Sequence, residues 1–169
     1  MLDSKIYDLL NKQINKEIYA SYIYLDIANY YDEQSLDGFA NWFDIQTKEE
    51  LEHAELIIQY LRDNGLRVVL DTIEKPNFNF KNFKEPLNVS LEHERFITAS
   101  INEIYDEAFK QRDFRTMKFL DWFVKEQAEE EKNAEALCDR FELFGQDSKG
   151  LYMLDQELGS RKYEGLDIN

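Results

Sequence analysis

The chain is poor in the residues that punctuate or cross-link a fold. Its 169 residues include one cysteine, two prolines and six glycines. A single cysteine excludes an internal disulfide framework and any paired-thiolate metal or redox motif; Cys138 reads as a small buried hydrophobe. So few turn-forming residues exclude an all-β sandwich, and an aromatic content of 14% excludes a disordered chain. No apolar run approaches the roughly 20 residues that span a bilayer. The opening MLDSKIYDLL has neither a basic stretch nor an unbroken apolar segment, so no secretory signal and a reducing, cytoplasmic setting are expected. Positive charge is scarce too. With 20 Lys and Arg against 35 Asp and Glu, the net charge is −15. Nucleic acid and anionic membrane, which need clustered Lys and Arg, are poor partners. Cations are better ones, unless the acid serves only to solubilise a helical surface.

What the chain does have is helical periodicity. Apolar residues recur at spacings of three and four along four stretches. These run over about 5–31, from Ser35 (a possible cap) to Asn64 with Gly65 as a stop signal, from the eighties to about Gln111, and over 114–144. Asn82 with Glu85 can form a capping box for the third, where Pro86 suits a first turn. A short tail helix is expected over about 151–158. Connections at 32–35 and 112–113 are of hairpin length, so the helices pair antiparallel. Residues 66–82 differ: about 17 extended residues reach ~56 Å, whereas a helix of about 28 residues is ~42 Å long. This segment can travel the length of a bundle. The expected fold is all-α, one domain over 1–169: a four-helix bundle with one long crossover (66–82) and a short fifth C-terminal helix.

Each apolar stripe is interrupted by a carboxylate: Glu17, Glu50 with His53, Glu94, and Glu130 with the amide Gln127. Counted from the hairpins at ~1.5 Å per residue, Glu17 and Glu50 fall at one height, and so do Glu94 and Glu130. A second regularity supports this. Glu17 and Glu94 are 77 positions apart, as are Glu50 and Gln127, and His53 and Glu130; Asp44, Lys48, Glu49 and Glu52 meet identical residues at the same offset. The halves read as two copies of one helical hairpin. Bare charge in a dry core costs several kcal/mol per ion, so the carboxylates either face water or surround cations. Oxygen-rich ligation with one imidazole suits iron or manganese better than a structural zinc site.

Five segments together, NKEIYASYIYL (15–25), KEELEHAE (48–55), EHERFI (92–97), FLDWFVKEQAEEE (119–131) and GLYMLDQEL (150–158), resemble the non-haem bacterial and archaeal ferritins over essentially the whole chain. The resemblance implies a di-iron ferroxidase centre. Glu17, Glu50 and His53 would hold one iron, Glu50 bridging to a second held by Glu94 and Glu130, with Gln127 nearby. Tyr24 would sit beside the centre as a hydrogen-bonding or redox partner, or be ordinary core. Glu49, Glu126 and Glu129 match a third iron position, although Glu49 and Glu126 point about 100° away from their inner-facing neighbours. The activity implied is oxidation of Fe(II) by O2 or H2O2, with Fe(III) stored as mineral in a hollow shell of about 24 subunits. The tail helix would line a symmetry axis of that shell; its Leu151, Leu154 and Leu158 form a side that a monomer could hardly cover, unless it folds back onto its own bundle. Departures narrow the resemblance. Leu51 stands where bacterioferritins carry a haem-ligating methionine, so no haem is expected. One cysteine cannot supply a rubrerythrin's iron domain. Ala128 replaces a histidine common in bacterial ferritins, and His93 reads as a surface residue. Two other classes remain open at this stage: a di-iron oxidase or peroxidase that stores nothing, and a structural bundle with acidic faces.

Overall fold

A computed structural model describes residues 2–166. It contains α1 (Ser4–Glu33), α2 (Asp37–Asp63), α3 (Glu85–Lys110), α4 (Phe114–Phe144) and α5 (Ser148–Leu158), and no strand among the described residues. None of these helices is long and apolar enough to cross a membrane. Local sequence fixes most of their ends. Asp3, Asp113 and Asp147 cap α1, α4 and α5, accepting from Lys5 N at 2.8 Å, Thr116 N at 3.1 Å and Gly150 N at 2.9 Å. Asn82 Oδ1 accepts from the Lys84 and Glu85 amides while Glu85 accepts from Lys81 N, a reciprocal arrangement close to the expected box. Pro86 lies in the first turn of α3, where its missing N–H costs nothing.

The start of α2 is different from expectation. Ser35 does not cap it; with φ at 59° it is the left-handed residue that reverses the chain between α1 and α2. Leu36 takes the cap position and offers no side-chain acceptor. The acceptor comes from α5: Asp155 Oδ1 takes the amides of Gly38 at 2.8 Å and Phe39 at 3.1 Å. This explains the tail helix. Leu154 and Leu158 are buried in the bundle's own core, with Leu151 packed beside them, so the apolar side of α5 is covered within the monomer. Of the two expectations for the tail helix, the structure shows the second: it folds back onto its own bundle. The close approach needs Gly38, because a Cβ there would stand 1.7 Å from the Asp155 carbonyl oxygen. The outer side of α5 keeps Tyr152 and Met153 exposed.

The crossover climbs α1 rung by rung. Tyr7 Oη donates to Arg67 O, Asn11 Oδ1 accepts from Val69 N, Asn15 Nδ2 donates to Thr72 O, and Tyr31 Oη donates to Phe83 O, at 2.6–3.0 Å. From Tyr7 to Tyr31 is about 36 Å of helix, so the segment travels the bundle as expected and α3 runs parallel to α2. Side chains between the helices separate into two apolar clusters. One contains Tyr24, Tyr31, Phe39, Phe43, Phe141 and Leu154 at the α5 end. The other contains Leu10, Ile14, Ile57, Ile97, Ile101 and Phe123 toward the opposite end. A polar layer lies between them.

A helix-interior glycine-to-alanine change ordinarily gains up to about 1 kcal/mol. Gly38→Ala should instead lower the unfolding midpoint, because its methyl displaces α5 and its cap. Asp155→Ala should cost about 1 kcal/mol for the lost cap. Urea denaturation of the two variants beside the parent measures both.

Candidate metal centre

The polar layer is built by helical spacing. A three-residue step returns a side chain to the same helix face, so Glu50 and His53 of α2 point inward together, as do Gln127 and Glu130 of α4; α1 adds Glu17 and α3 adds Glu94. All six are buried, Glu17 and His53 completely and Glu130 the least at 6% exposed. Glu17, Glu50 and His53 each bring a ligand atom within 4.8 Å of the others, and so do His53, Glu126 and Glu130. His53 belongs to both groups. Its ring is held edge-on between Trp122 and Phe123, with centroids at 5.5 and 6.1 Å.

Neutral donors hold the carboxylates in place. Gln13 Nε2 donates to Glu17 Oε1 at 2.7 Å, and Gln13 Oε1 accepts from Ser100 Oγ at 2.5 Å. Gln46 Nε2 donates to Glu130 Oε2 at 2.9 Å. Glu94 is held at both oxygens, by the Tyr24 hydroxyl and by Gln127 Nε2 at 3.1 Å. What is left over is informative. Glu17 Oε2, Glu50 Oε1 and both ring nitrogens of His53 are buried without a hydrogen-bond partner among the described residues. His53 Nδ1 lies 3.3 Å from Glu50 Oε2, but out of hydrogen-bond alignment. Glu17 and Glu50 come close enough for one carboxyl to bond the other once either is protonated; as carboxylates, both lack the donor.

Burial dominates the electrostatics. It pushes Glu50 well above the usual carboxylate range, reinforced by the negative charges of Glu94, Glu17 and Glu130. Burial and then Glu94 push Glu130 up to about 8. Glu17 and Glu94 are raised by burial against the pull of their hydrogen-bond donors. The Tyr24 hydroxyl is raised well above its ordinary value by burial and by Glu94. In the layer, protons stand in for missing counter-charge. The donor set, carboxylate oxygens with one imidazole and no thiolate, fits iron or manganese, and the unpartnered lone pairs are what such an ion would take.

Not every expected residue joins the two close groups. Glu94 stands outside both, its oxygens taken by Tyr24 and Gln127. Glu126 is half-buried and lies with His53 and Glu130, whereas Glu129 is exposed and outside. Glu49 is half-buried and ion-paired to Arg161 at 2.8 Å. His93 is not the surface residue expected. Tyr19, Tyr24 and Phe96 enclose its ring, its Nε2 is buried without a partner, and burial lowers its pKa to about 4. It is in neither metal-capable group. Gln13 and Gln46 escaped sequence reasoning as site residues, although each stands four positions before a site glutamate and therefore on its face. Ser100 and Arg161 gave no signal.

The chain is similar to known proteins over nearly its whole length. A ferritin-like domain profile matches residues 7–144. A probable bacterial non-heme ferritin-like protein of Haemophilus influenzae is 36% identical over 160 residues, covering 95% of this chain and 97% of that protein. A bacterial non-heme ferritin of Campylobacter jejuni is 38% identical over 156 residues, covering 92% and 93%. The structure of an engineered closed form of the Archaeoglobus fulgidus ferritin superposes with a TM-score of 0.94 at 37% identity, covering 97% of this chain and all of that one.

The raised carboxyls give a signed prediction. Unfolded, Glu130 ionises near 4.5, whereas folded and metal-free it keeps its proton up to about 8. The folded state holds more protons across that window, so its stability falls as pH rises through it. Thermal midpoints of metal-free protein should fall between about pH 5 and about pH 8, and fall less in Glu130→Gln. Mn(II) should restore more stability at the upper end, where it replaces protons already lost.

Proposed function

The chain belongs to the ferritin-like domain family, and from that premise we propose that it stores iron, oxidising Fe(II) in the polar layer and retaining the Fe(III) as mineral within a shell of many copies, about 24 by analogy with the ferritins. The observation that carries this reading is the set of unpartnered, buried lone pairs on Glu17, Glu50 and His53. Fe(II) is the substrate. Glu17, Glu50 and His53 take one ion, Glu50 bridges, and Glu94 and Glu130 take the second beside Gln127.

The chain's own groups have distinct parts in this scheme. Glu50 and Glu130 give up the protons that burial makes them keep, so Fe(II) uptake releases acid. Gln13 and Gln46 hold Glu17 and Glu130 in orientation, and Tyr24 and Gln127 do the same for Glu94. Each Fe(II) gives up one electron, so a bound pair supplies the two that reduce O2 to peroxide or H2O2 to water. Carboxylate oxygens favour the harder ferric product. Glu126, with His53 and Glu130, offers the first step outward, and Glu126 with Glu49 and Glu129 forms a third position. The reading places this chemistry in the cytoplasm.

Aerobic addition of Fe(II) far above three per chain, followed by size exclusion with iron and protein read together, tests the proposal. Dozens of irons per chain on a very large particle are expected. Iron that stops at two or three per chain on a small oligomer would point to an oxidase that stores nothing. Glu50→Ala and His53→Ala should oxidise Fe(II) no faster than protein-free buffer. Gln13→Ala, which leaves every ligand in place, should weaken metal binding by about 10–100-fold.

A further inference from the structure

The chain carries a cation of its own at the rim of this centre. Three residues past α5, Arg161 lays its guanidinium over the Trp42 ring, 4.2 Å from the centroid. Its Nη1 donates to Gln46 Oε1 at 2.6 Å, and its Nη2 donates to Glu49 Oε2 at 2.8 Å. Trp42, Gln46 and Glu49 are spaced by four and three, so one face of α2 presents all three. With the Arg161 and Glu49 side chains only 21% and 17% exposed, this is not a solvated surface pair. The rest of the segment lies along the same helix. Asn41 Nδ2 donates to the carbonyls of Leu158 at 3.3 Å and Arg161 at 3.1 Å, and the Tyr163 hydroxyl donates to Glu52.

Two connections join this guanidinium to the centre. A guanidinium only donates, so Gln46 must turn its Oε1 toward Arg161 and its Nε2 toward Glu130. Glu49 is also close enough for its charge to be felt at both Glu126 and Glu130. A metal ion shared between Glu49 and Glu126 would need the carboxylate that Arg161 already holds.

We propose that Arg161 is a tethered stand-in for an outer metal ion: it occupies Glu49 while the outer position holds no metal, and a divalent cation bound between Glu49 and Glu126 displaces it. The proposal rests on the reading of the polar layer as a cation site. Arg161 is a positioning residue, acting through Glu49 and Gln46. Its displacement frees residues 159–165 from one of their anchors on α2, so filling of the outer position is felt by the C-terminal segment.

Co(II), titrated calorimetrically into the metal-free full chain in its native assembly with the visible absorption spectrum followed, tests this without oxidation chemistry. Two inner binding steps and a weaker third are expected in the parent. Arg161→Gln should tighten the third step by about tenfold, the scale of one charge-assisted hydrogen bond, and leave the inner step at Glu17, Glu50 and His53, which Arg161 does not touch, within about threefold. Arg161→Lys, which keeps the charge but not the planar fork, should fall between parent and Arg161→Gln. Adding Glu49→Gln to Arg161→Gln should abolish the gain, and Lys125→Gln, which removes a nearby exposed charge, should not reproduce it. A third step unchanged or weakened in Arg161→Gln overturns the proposal while leaving the centre intact. No Co(II) binding in any variant overturns the centre and this proposal with it.

Discussion

The constraint on which the rest depends is that one layer of a helical bundle buries Glu17, Glu50, Glu94 and Glu130 at 0–6% exposure, with an imidazole as the only basic group among them. Like charges so placed cannot all ionise. Either protons or metal ions must enter, and each choice costs the folded protein something different. Protonation relieves the charge of the metal-free layer at the cost of a Glu130 carboxyl that keeps its proton up to about pH 8. Metal uptake removes that cost, which couples cation binding to stability. A layer of leucines would be simpler to fold and would bind nothing.

The surroundings of the layer compensate for it. On either side lies an apolar cluster, and the one at the α5 end stacks Tyr31 on Phe39 and Phe43 with centroids 4.9 and 5.8 Å apart. Burial of large aromatics there offsets the weak cohesion of the polar level. Amide side chains suit the layer itself because they add no charge. Gln13, Gln46 and Gln127 each point Nε2 at a carboxylate and steady it in either protonation state, where a lysine would neutralise it and compete with metal. α5 closes the same end of the bundle through Asp155 and Gly38, and the segment after it reaches back to α2 through Arg161. The tail is thereby part of the bundle's structure, quite apart from any contact with other copies.

Much of this was legible in sequence because helical geometry is local. The periodicity of Phe114–Phe144, the length of the crossover and the heights of Glu17, Glu50, Glu94 and Glu130 follow from 3.6 residues per turn and 1.5 Å per residue. Contacts between segments distant in sequence were not legible. Ser35 has the chemistry of a cap, but a three-residue reversal claims it for a left-handed turn, and the cap is supplied by Asp155, 117 positions from Gly38. His93 carries no apolar signature of its own; tyrosines of α1 enclose it. Arg161 looked like any charged residue past a helix end. Such pairings depend on how α5 and α1 dock, and no local spacing encodes that.

The internal repeat gives the site its asymmetry. At an offset of 77, Glu17 matches Glu94, but Glu50 matches the neutral Gln127, and His53 matches the acidic Glu130. A faithful copy would have put Glu-x-x-His on both α2 and α4, making two like halves around a pseudo-twofold. Instead α2 contributes a carboxylate and an imidazole whose lone pairs lack partners, while α4 contributes an amide that binds Glu94 and a carboxylate that binds Gln46. One side of the layer is left with donors free for a metal ion; the other has its donors already engaged in hydrogen bonds. An ion entering the α1–α2 side meets free lone pairs at once. An ion on the α3–α4 side must first compete with Tyr24, Gln127 and Gln46. Two ions in such a layer would therefore be inequivalent from the outset, the one on the α3–α4 side having to displace existing hydrogen bonds.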